Sequence, residues 1–177
     1  THEDEVKLAF EDTVRVFGKL NALINCAGIG YIEETITENS THDTAKFMRV
    51  MDINLVWTFL SCKHAAWYMK DAKVDAQGER GVIINVASIA AMEGTRGQIA
   101  YAASKGAIVG MSMPMARDLS KYSIRVATIA PGPIDTGIKI ADYAQRLKSM
   151  SVVKRFGRPE EFAKLAAHII ENGYIAG

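Results

Sequence analysis

The sequence predicts an α/β fold with a parallel, doubly wound sheet. Three apolar segments of strand length, ALINCAG, GVIINV and SIRVATIA, span residues 22–28, 81–86 and 123–130. Segments with helical apolar periodicity separate them, and alternation of strands with helices is typical of a parallel sheet. A turn follows the strand at 123–130, at the kind of strand end where ligands bind in such sheets. At 177 residues the chain fits one domain, over 1–177.

The composition argues against several classes of protein. The net charge of +1 gives neither the footprint of a nucleic-acid-binding protein nor a polybasic membrane patch. No apolar run reaches the length of a transmembrane helix, and THEDEVKLAF has no basic or apolar region of a signal peptide. Cys26 and Cys62 form neither a metal motif nor a disulfide framework, which indicates a reducing compartment and no metal site.

In the first half of the chain, a predicted helix ends at Gly18 and precedes the strand at 22–28. Its apolar stripe comprises Val6, Phe10, Val14 and Phe17. Polar residues 29–43 predict a loop, and a long helix follows over 44–71. This helix carries Asn54 in an apolar setting, where an unbonded buried amide costs about 1–3 kcal/mol. Its aromatic residues suit the core or a subunit contact better than a ligand site; they are Trp57, Phe59, Trp67 and Tyr68.

In the second half, polar residues 71–80 predict a loop before the strand at 81–86, which leads to Ser88. Residues 90–98 contain two glycines and predict a second loop, before a helix that runs to about Lys121. Pro114 lies inside that helix and should bend it. The last predicted helix has Pro159 and two glutamates in its first turn, and it ends at Gly173.

Ser88, Tyr101 and Lys105 form the candidate catalytic set. Tyr101 and Lys105 are four residues apart, so on a helix they share one face. A free phenol has a pKa of about 10, which makes it a poor base near neutral pH, and a neighbouring ammonium lowers that pKa. Such a tyrosine can take a proton from an alcohol or return one to a carbonyl oxygen. The Ser88 hydroxyl, just after a buried strand, can hold the substrate oxygen beside Tyr101.

The tyrosine–lysine spacing alone is weak evidence, because it also describes an exposed helical pair worth a few tenths of a kcal/mol. Its surroundings favour catalysis: a serine at a strand end, a Pro-Gly turn after the next strand, and small residues around the pair. Those small residues are Ala102, Ala103, Ser104 and Gly106.

These residues belong to a longer set of motifs in a fixed order. The set is Asn25-Cys26-Ala27-Gly28, Asn54, Ser88, Tyr101, Lys105, Pro131-Gly132 and Thr136. The set resembles the classical short-chain dehydrogenase/reductase family. Stretches such as GVIINVASIAAMEG and RFGRPEEFAKLAAHIIENGYIAG are similar to one branch, the type 2 3-hydroxyacyl-CoA dehydrogenases, also called 17β-hydroxysteroid dehydrogenase type 10. The resemblance covers nearly the whole chain and implies a Rossmann-type fold.

The resemblance also implies roles for individual residues. Asn54 completes a proton relay through a water beside Lys105, which also holds the nicotinamide ribose hydroxyls. The cofactor-binding residues it implies are Cys26, Ala27, Gly28, Tyr101, Lys105, Pro131, Ile134 and Thr136. Ser88 and Tyr101 contact the substrate, and residues 137–154 form a substrate lid. His168 lies far from the motifs in sequence and is interpreted as structural.

The function that the resemblance implies is NAD-dependent interconversion of a secondary alcohol and a ketone. The substrate is expected to be a 3-hydroxyacyl-CoA or a hydroxysteroid. A homotetramer is expected, with one interface built from the two long helices. The expected location is mitochondrial in a eukaryote and cytoplasmic otherwise.

Two features of the family's cofactor site are missing from the sequence. No glycine-rich phosphate loop stands between a strand and a helix, and the acidic residue about twenty positions later, which selects NAD over NADP, is absent as well. We therefore expect these residues to be part of a longer protein, with the family's first strands before Thr1 and its last strand after Gly177.

Two alternative functions stay open at this stage. One is an NADPH-dependent 3-oxoacyl-acyl-carrier-protein reductase, which the missing acidic residue would distinguish. The other is a non-catalytic scaffold of the same fold, which would have no need of Ser88, Tyr101 and Lys105 together.

Overall fold

A computed structural model describes residues 3–137 and 151–177, and its centre is a three-stranded parallel sheet. The strands are β1 (Ala22–Asn25), β2 (Gly81–Val86) and β3 (Ile124–Ile129), in the order β1-β2-β3. The strand β2 pairs in parallel with β1 from Ala22↔Val82 and with β3 from Gly81↔Ile124. All three carboxyl ends therefore meet at one edge, and the predicted parallel sheet is confirmed.

The helices of the described residues cover both faces of this sheet. They are α1 (Glu3–Phe17), α2 (Thr44–Met51), α3 (Trp57–Met69), α4 (Ala90–Glu93), α5 (Ile99–Ser120) and α6 (Pro159–Glu171). On one face, Cys62, Ala65 and Met69 of α3 pack against Ile83 and Val126.

The opposite face of the sheet packs against α6. Ala166 and Ile169 contact Val82, Ile84 and Ala127 there. Because apolar side chains leave water on both faces of the sheet, the strands read as almost continuous apolar runs. The predicted doubly wound arrangement is confirmed.

The predicted end of the first strand and the predicted loop over 90–98 are both wrong. The strand predicted over 22–28 ends at Asn25, because Ile29 beyond it bonds through its backbone to the Asn54 side chain instead of to a neighbouring strand. The loop predicted over 90–98 contains the short helix α4. Ser88 initiates it, since its carbonyl accepts from Ala91 N at 2.9 Å and its hydroxyl accepts from Ala90 N at 3.1 Å.

The long helix predicted over 44–71 contains a change of helical geometry. A π-helical segment, Asp52–Val56, joins α2 to α3, and α3 ends at Met69. The hydroxyl of Thr58, in the first turn of α3, donates to the carbonyl of Asn54 in the π-helical segment at 2.7 Å. A π-helical turn in an α-helix often occurs at a functional site. The site-facing residue Asn54 lies in this segment.

The helix α5 continues through Pro114, and the predicted bend there stays a prediction. Within the described residues, no helix combines the length and apolarity needed to cross a membrane.

Candidate active site

The carboxyl edge of the sheet brings the predicted catalytic residues into one region. Ser88 follows β2 and is 8% exposed. The backbone on either side of it bonds to the end of β3 and to the segment that follows, since Ala87 N donates to Ile129 O at 2.8 Å and Ile89 N donates to Pro131 O at 3.0 Å. The Ser88 and Pro131 motifs, 43 positions apart in the chain, are therefore neighbours.

Lys105 is a buried cation at this edge. Its side chain projects from α5, the residue is 4% exposed, and its Nζ donates to the carbonyl of Val86 at 2.7 Å. Burial lowers the pKa of Lys105, and the nearby Cys26 thiol opposes this shift. A buried ammonium is costly unless it is bonded, and Val86 O satisfies one of its three donors.

The ring of Tyr101 lies beside this ammonium. The Lys105 Nζ is 5.7 Å from the centre of the ring, as their spacing on the helix predicts. Gly30 packs against the same ring, because a Cβ added at Gly30 would lie 3.1 Å from Tyr101 Cδ2. The loop after β1 therefore covers one side of Tyr101.

Asn54 fixes that loop from the π-helical segment. Its Oδ1 accepts from Ile29 N at 2.8 Å, and its Nδ2 donates to Ile29 O at 2.9 Å. The same Nδ2 donates to Ser104 Oγ at 2.9 Å, and that hydroxyl donates to the carbonyl of Tyr101 at 2.8 Å. The residue is fully buried, so its amide is satisfied as the sequence requires.

Ser104 is a site residue that the sequence pattern identified only as one of the small residues around Tyr101 and Lys105. It is fully buried and connects Asn54 to the backbone of Tyr101. Its place one turn after Tyr101 on the same helix is the signal that could have identified it.

Gly28 lies against two of the site's side chains. A Cβ added there would lie 3.3 Å from Asn54 Oδ1 and 3.4 Å from Lys105 Nζ. The backbone at residues 26–28 therefore passes close to the buried ammonium. A side chain at position 28 would press against the Asn54 amide, which is closer than an ordinary van der Waals contact.

The side-chain amide of Asn25 connects β1 to the neighbouring strand β2. Its Nδ2 donates to Asn85 Oδ1 on β2 at 2.9 Å, and Cys62 Sγ donates to the same oxygen at 3.2 Å. Burial raises the pKa of the Cys62 thiol to about 12, so it stays a neutral donor. Cys26, in contrast, is exposed.

The remaining predicted residues lie in the segment after β3. Ile134 pairs with Gly157, and the backbone around it is fixed because Asp135 N donates to Gly157 O at 2.8 Å. Thr136 is exposed at the end of this segment. Most of the lid predicted over 137–154 lies outside the described residues. His168 is exposed on α6, and its Nε2 lies 3.3 Å from the Asn172 amide nitrogen.

The sequence comparisons agree on one family. A family model described as short chain dehydrogenase matches residues 1–147. The curated 3-hydroxyacyl-CoA dehydrogenase type-2 of Rattus norvegicus is 42% identical over 183 residues, which cover 100% of this chain and 70% of the relative. The 3-oxoacyl-[acyl-carrier-protein] reductase of Homo sapiens is 34% identical over 178 residues, which cover 99% of this chain and 70% of that protein.

The structural comparison gives the same result. A crystal structure of 3-hydroxyacyl-CoA dehydrogenase type-2 from Mycobacterium avium superposes with a TM-score of 0.89 at 36% identity, and it covers 98% of this chain and 69% of the other. Among the sequence relatives above, the rat type-2 dehydrogenase, at 42% identity, is more similar to this chain than the human reductase, at 34%. The chain belongs to the short-chain dehydrogenase family, whose members are oxidoreductases that use a nicotinamide cofactor.

Proposed function

We propose that the protein is an NAD-dependent oxidoreductase that interconverts a 3-hydroxyacyl-CoA and a 3-oxoacyl-CoA. The observation that carries this proposal is the Tyr101 ring 5.7 Å from the buried ammonium of Lys105, at the carboxyl end of the sheet. The similarity to a 3-hydroxyacyl-CoA dehydrogenase type-2 over the whole chain supports the choice of substrate.

Tyr101 is the proposed acid–base group. In oxidation it takes the proton of the substrate hydroxyl, and in reduction it returns a proton to the carbonyl oxygen. The positive charge of Lys105 favours the phenolate form. Ser88, buried at the end of β2, holds the substrate oxygen beside Tyr101.

Asn54 has a proposed role in proton supply, as part of a relay that ends at Lys105. Its support is positional, since a Cβ built on Gly28 would be within 3.4 Å of both Asn54 and Lys105. By fixing Ile29, Asn54 also holds the loop that packs on Tyr101.

The residues at the sheet edge fit a nicotinamide cofactor. Two of the three Lys105 donors are not used by Val86 O, and they can bind ribose hydroxyls. The small residues Ala27 and Gly28, together with Cys26, would let a flat ring of the cofactor approach the backbone. After β3, Pro131, Ile134 and Thr136 would contact the nicotinamide. The ring supplies the hydride acceptor in oxidation and the donor in reduction. We propose NAD as the cofactor, with NADP as the less favoured choice.

Two alternatives have specific grounds. An NADPH-dependent 3-oxoacyl-acyl-carrier-protein reductase is supported by the 34% identity to a reductase of that name. A scaffold of the same fold is a weaker proposal, because it gives no reason for a buried lysine beside a tyrosine. A hydroxysteroid is the second substrate class that we propose for the dehydrogenase.

For the whole protein, we propose a single nucleotide-binding domain and a homotetramer. We propose a mitochondrial location if the protein comes from a eukaryote and a cytoplasmic one otherwise.

The test is NADH oxidation by the full-length protein with acetoacetyl-CoA, with NADPH in parallel. We expect turnover with NADH, and a loss of at least about 100-fold in kcat for Tyr101→Phe, because the proton donor is removed. Tyr122→Phe is the matched control, since the centre of the Tyr122 ring also lies near a lysine, 5.1 Å from Lys121 Nζ, but just beyond the far end of α5.

The outcomes separate the alternatives. Turnover with NADPH alone would favour the reductase. A fully active Tyr101→Phe variant would contradict the assigned acid–base group. A folded protein that binds NADH but turns over with neither cofactor would favour the scaffold or another carbonyl substrate.

A further inference from the structure

A cleft of about 420 Å³ opens between the loop after β1 and the start of α5. One wall is Glu34, Thr35 and Ile36, and the other is residues 94–99 with Ala102. Ala102 follows Tyr101 directly, and Gly97 packs on Ile32 of the opposite wall, where an added Cβ would lie 2.9 Å from Ile32 Cγ2. The residue that follows the proposed catalytic tyrosine in α5 therefore lines this cleft.

Only two of the residues that line this cleft are charged, Glu34 and Arg96. They form an ion pair between the two walls, with Arg96 Nη2 2.6 Å from Glu34 Oε2. The Arg96 side chain is 74% exposed and that of Glu34 is 36% exposed. The guanidinium is thus held at the cleft by one carboxylate while most of its surface faces solvent.

The neighbouring glutamate, Glu33, is neutralised by partners other than Arg96. Glu33 Oε1 accepts from Lys46 Nζ at 3.1 Å, and Glu33 Oε2 is 3.6 Å from His42 Nδ1. Glu33 therefore has its own cationic partner, and Glu34 is the carboxylate that competes for Arg96. An anion that reaches the cleft would meet Arg96, whose planar donors suit phosphate oxygens.

We infer that Arg96 is a specificity residue that binds a phosphate of the coenzyme A part of the substrate, in competition with Glu34. This inference rests on the proposed acyl-CoA substrate. The acyl part reacts at Tyr101, and the anionic end of the thioester extends along the cleft to Arg96. Glu34 keeps the guanidinium in place when no substrate is bound and is exchanged for the phosphate when it is.

The first test measures binding of free coenzyme A to the full-length protein by titration calorimetry. We expect Arg96→Gln to weaken binding about tenfold, as for the loss of one charge-assisted hydrogen bond, and Arg96→Lys to recover part of it. We expect Glu34→Gln to strengthen binding up to about fivefold, because an exposed pair of this kind contributes little and its removal frees the guanidinium.

The second test compares two substrates that share the reacting group. Acetoacetyl-CoA carries phosphates, whereas the acetoacetyl thioester of N-acetylcysteamine carries none. We expect Arg96→Gln to raise KM for acetoacetyl-CoA about tenfold without changing kcat, and to leave both constants for the short thioester unchanged. Arg15→Gln is the matched control, because Arg15 is 73% exposed and pairs with Asp12 at 2.8 Å on α1.

The inference is overturned if Arg96→Gln leaves coenzyme A binding unchanged, or changes the two thioesters equally. The proposed function is tested separately by the wild-type protein, since the short thioester needs no phosphate contact. Coenzyme A binding that depends on Arg96, without turnover of either thioester, would refute the proposed reaction and support the binding site.

Discussion

Lys105 shows what a functional residue costs the fold. The residue is 4% exposed, and the described residues give its ammonium one hydrogen-bond acceptor, Val86 O at 2.7 Å. Removing such a charge from water is unfavourable, which is why the pKa of Lys105 is lowered. An apolar side chain of similar length would avoid this penalty, so the lysine is explained by chemistry rather than by stability.

We predict that Lys105→Met abolishes activity and stabilises the protein. With no cofactor present at pH 7, the free energy of unfolding should rise by about 1 kcal/mol or more, as for other buried charges replaced by apolar groups. The turnover number should fall at least about 100-fold. Urea denaturation and NADH oxidation measure the two effects.

The stability that Lys105→Met gains over the wild type should decrease as pH rises. The pKa of Lys105 is 10.5 in the unfolded chain and lower in the folded protein. At a pH between these two pKa values, the unfolded chain therefore binds more protons than the folded protein. The wild type therefore gains stability as pH rises through that window, and the difference from Lys105→Met should shrink towards pH 10.5. Lys121→Met, at an exposed lysine, is the control. A variant less stable than the wild type at pH 7 would contradict the prediction.

At the scale of elements, α6 depends on a charged cluster at its first turn. Glu161 accepts from both terminal nitrogens of Arg155 at 2.7 Å and from the backbone nitrogen of Arg158 at 2.7 Å. The Arg155 guanidinium lowers the pKa of Glu161 to about 2. Because α6 covers one face of the sheet, this cluster helps to hold the helix on the core.

We predict that Glu161→Gln destabilises the protein in a pH-dependent way. Folding lowers the pKa of Glu161 from 4.5 to about 2, so its carboxylate stabilises the folded state fully at pH values above 4.5. This contribution is lost as pH falls towards about 2. The difference in melting temperature between wild type and variant should therefore be full at pH 7 and decline below pH 4.5. Glu160→Gln, one position earlier, is the control, and a difference independent of pH would count against this explanation.

The carboxyl end of α6 is held by a different residue. The guanidinium of Arg125 on β3 donates to the carbonyls of Ile169, Ile170 and Ile175 at 2.9–3.2 Å and to Glu79 at 2.7 Å. Carbonyls at a helix end lack partners within the helix, and this buried arginine supplies them.

At the scale of the whole molecule, the long helices leave apolar surface uncovered. On α3, Phe59 is 46% exposed and Trp67 is 63% exposed, and on α5, Met113 is 46% exposed. The helix α3 carries apolar residues around its whole circumference, which is typical of a helix that is buried on all sides. These surfaces suit the proposed tetramer interface.

We predict that the full-length protein elutes as a tetramer and that Phe59→Glu dissociates it, because a charge in an apolar interface is costly. Light scattering coupled to size-exclusion chromatography measures the mass of each form. Leu8→Glu, at a 56% exposed position on α1, should leave the tetramer intact. An unchanged mass for Phe59→Glu would place the interface elsewhere.

Much of this fold and site could be predicted because the signals are local. Apolar runs bounded by turns predicted the ends of β2 and β3 to within one residue, and Pro159 predicted where α6 begins. The four-residue spacing of Tyr101 and Lys105 was enough to put them on one helical face. The short helix α4 and the π-helical segment were missed, because periodicity does not reveal side-chain bonds to the backbone such as those made by Ser88 and Thr58.

By itself, the sequence determined the parallel doubly wound sheet, the order of its elements and the residue types of the proposed catalytic set, since these follow from patterns within short windows. Only the tertiary structure decided how those residues meet. It joined Ile29, Asn54 and Ser104 in one hydrogen-bonded network, and it set Glu34 opposite Arg96 across a cleft. Such pairs lie 25 to 62 positions apart, and contacts at that separation are formed by packing rather than by local preference.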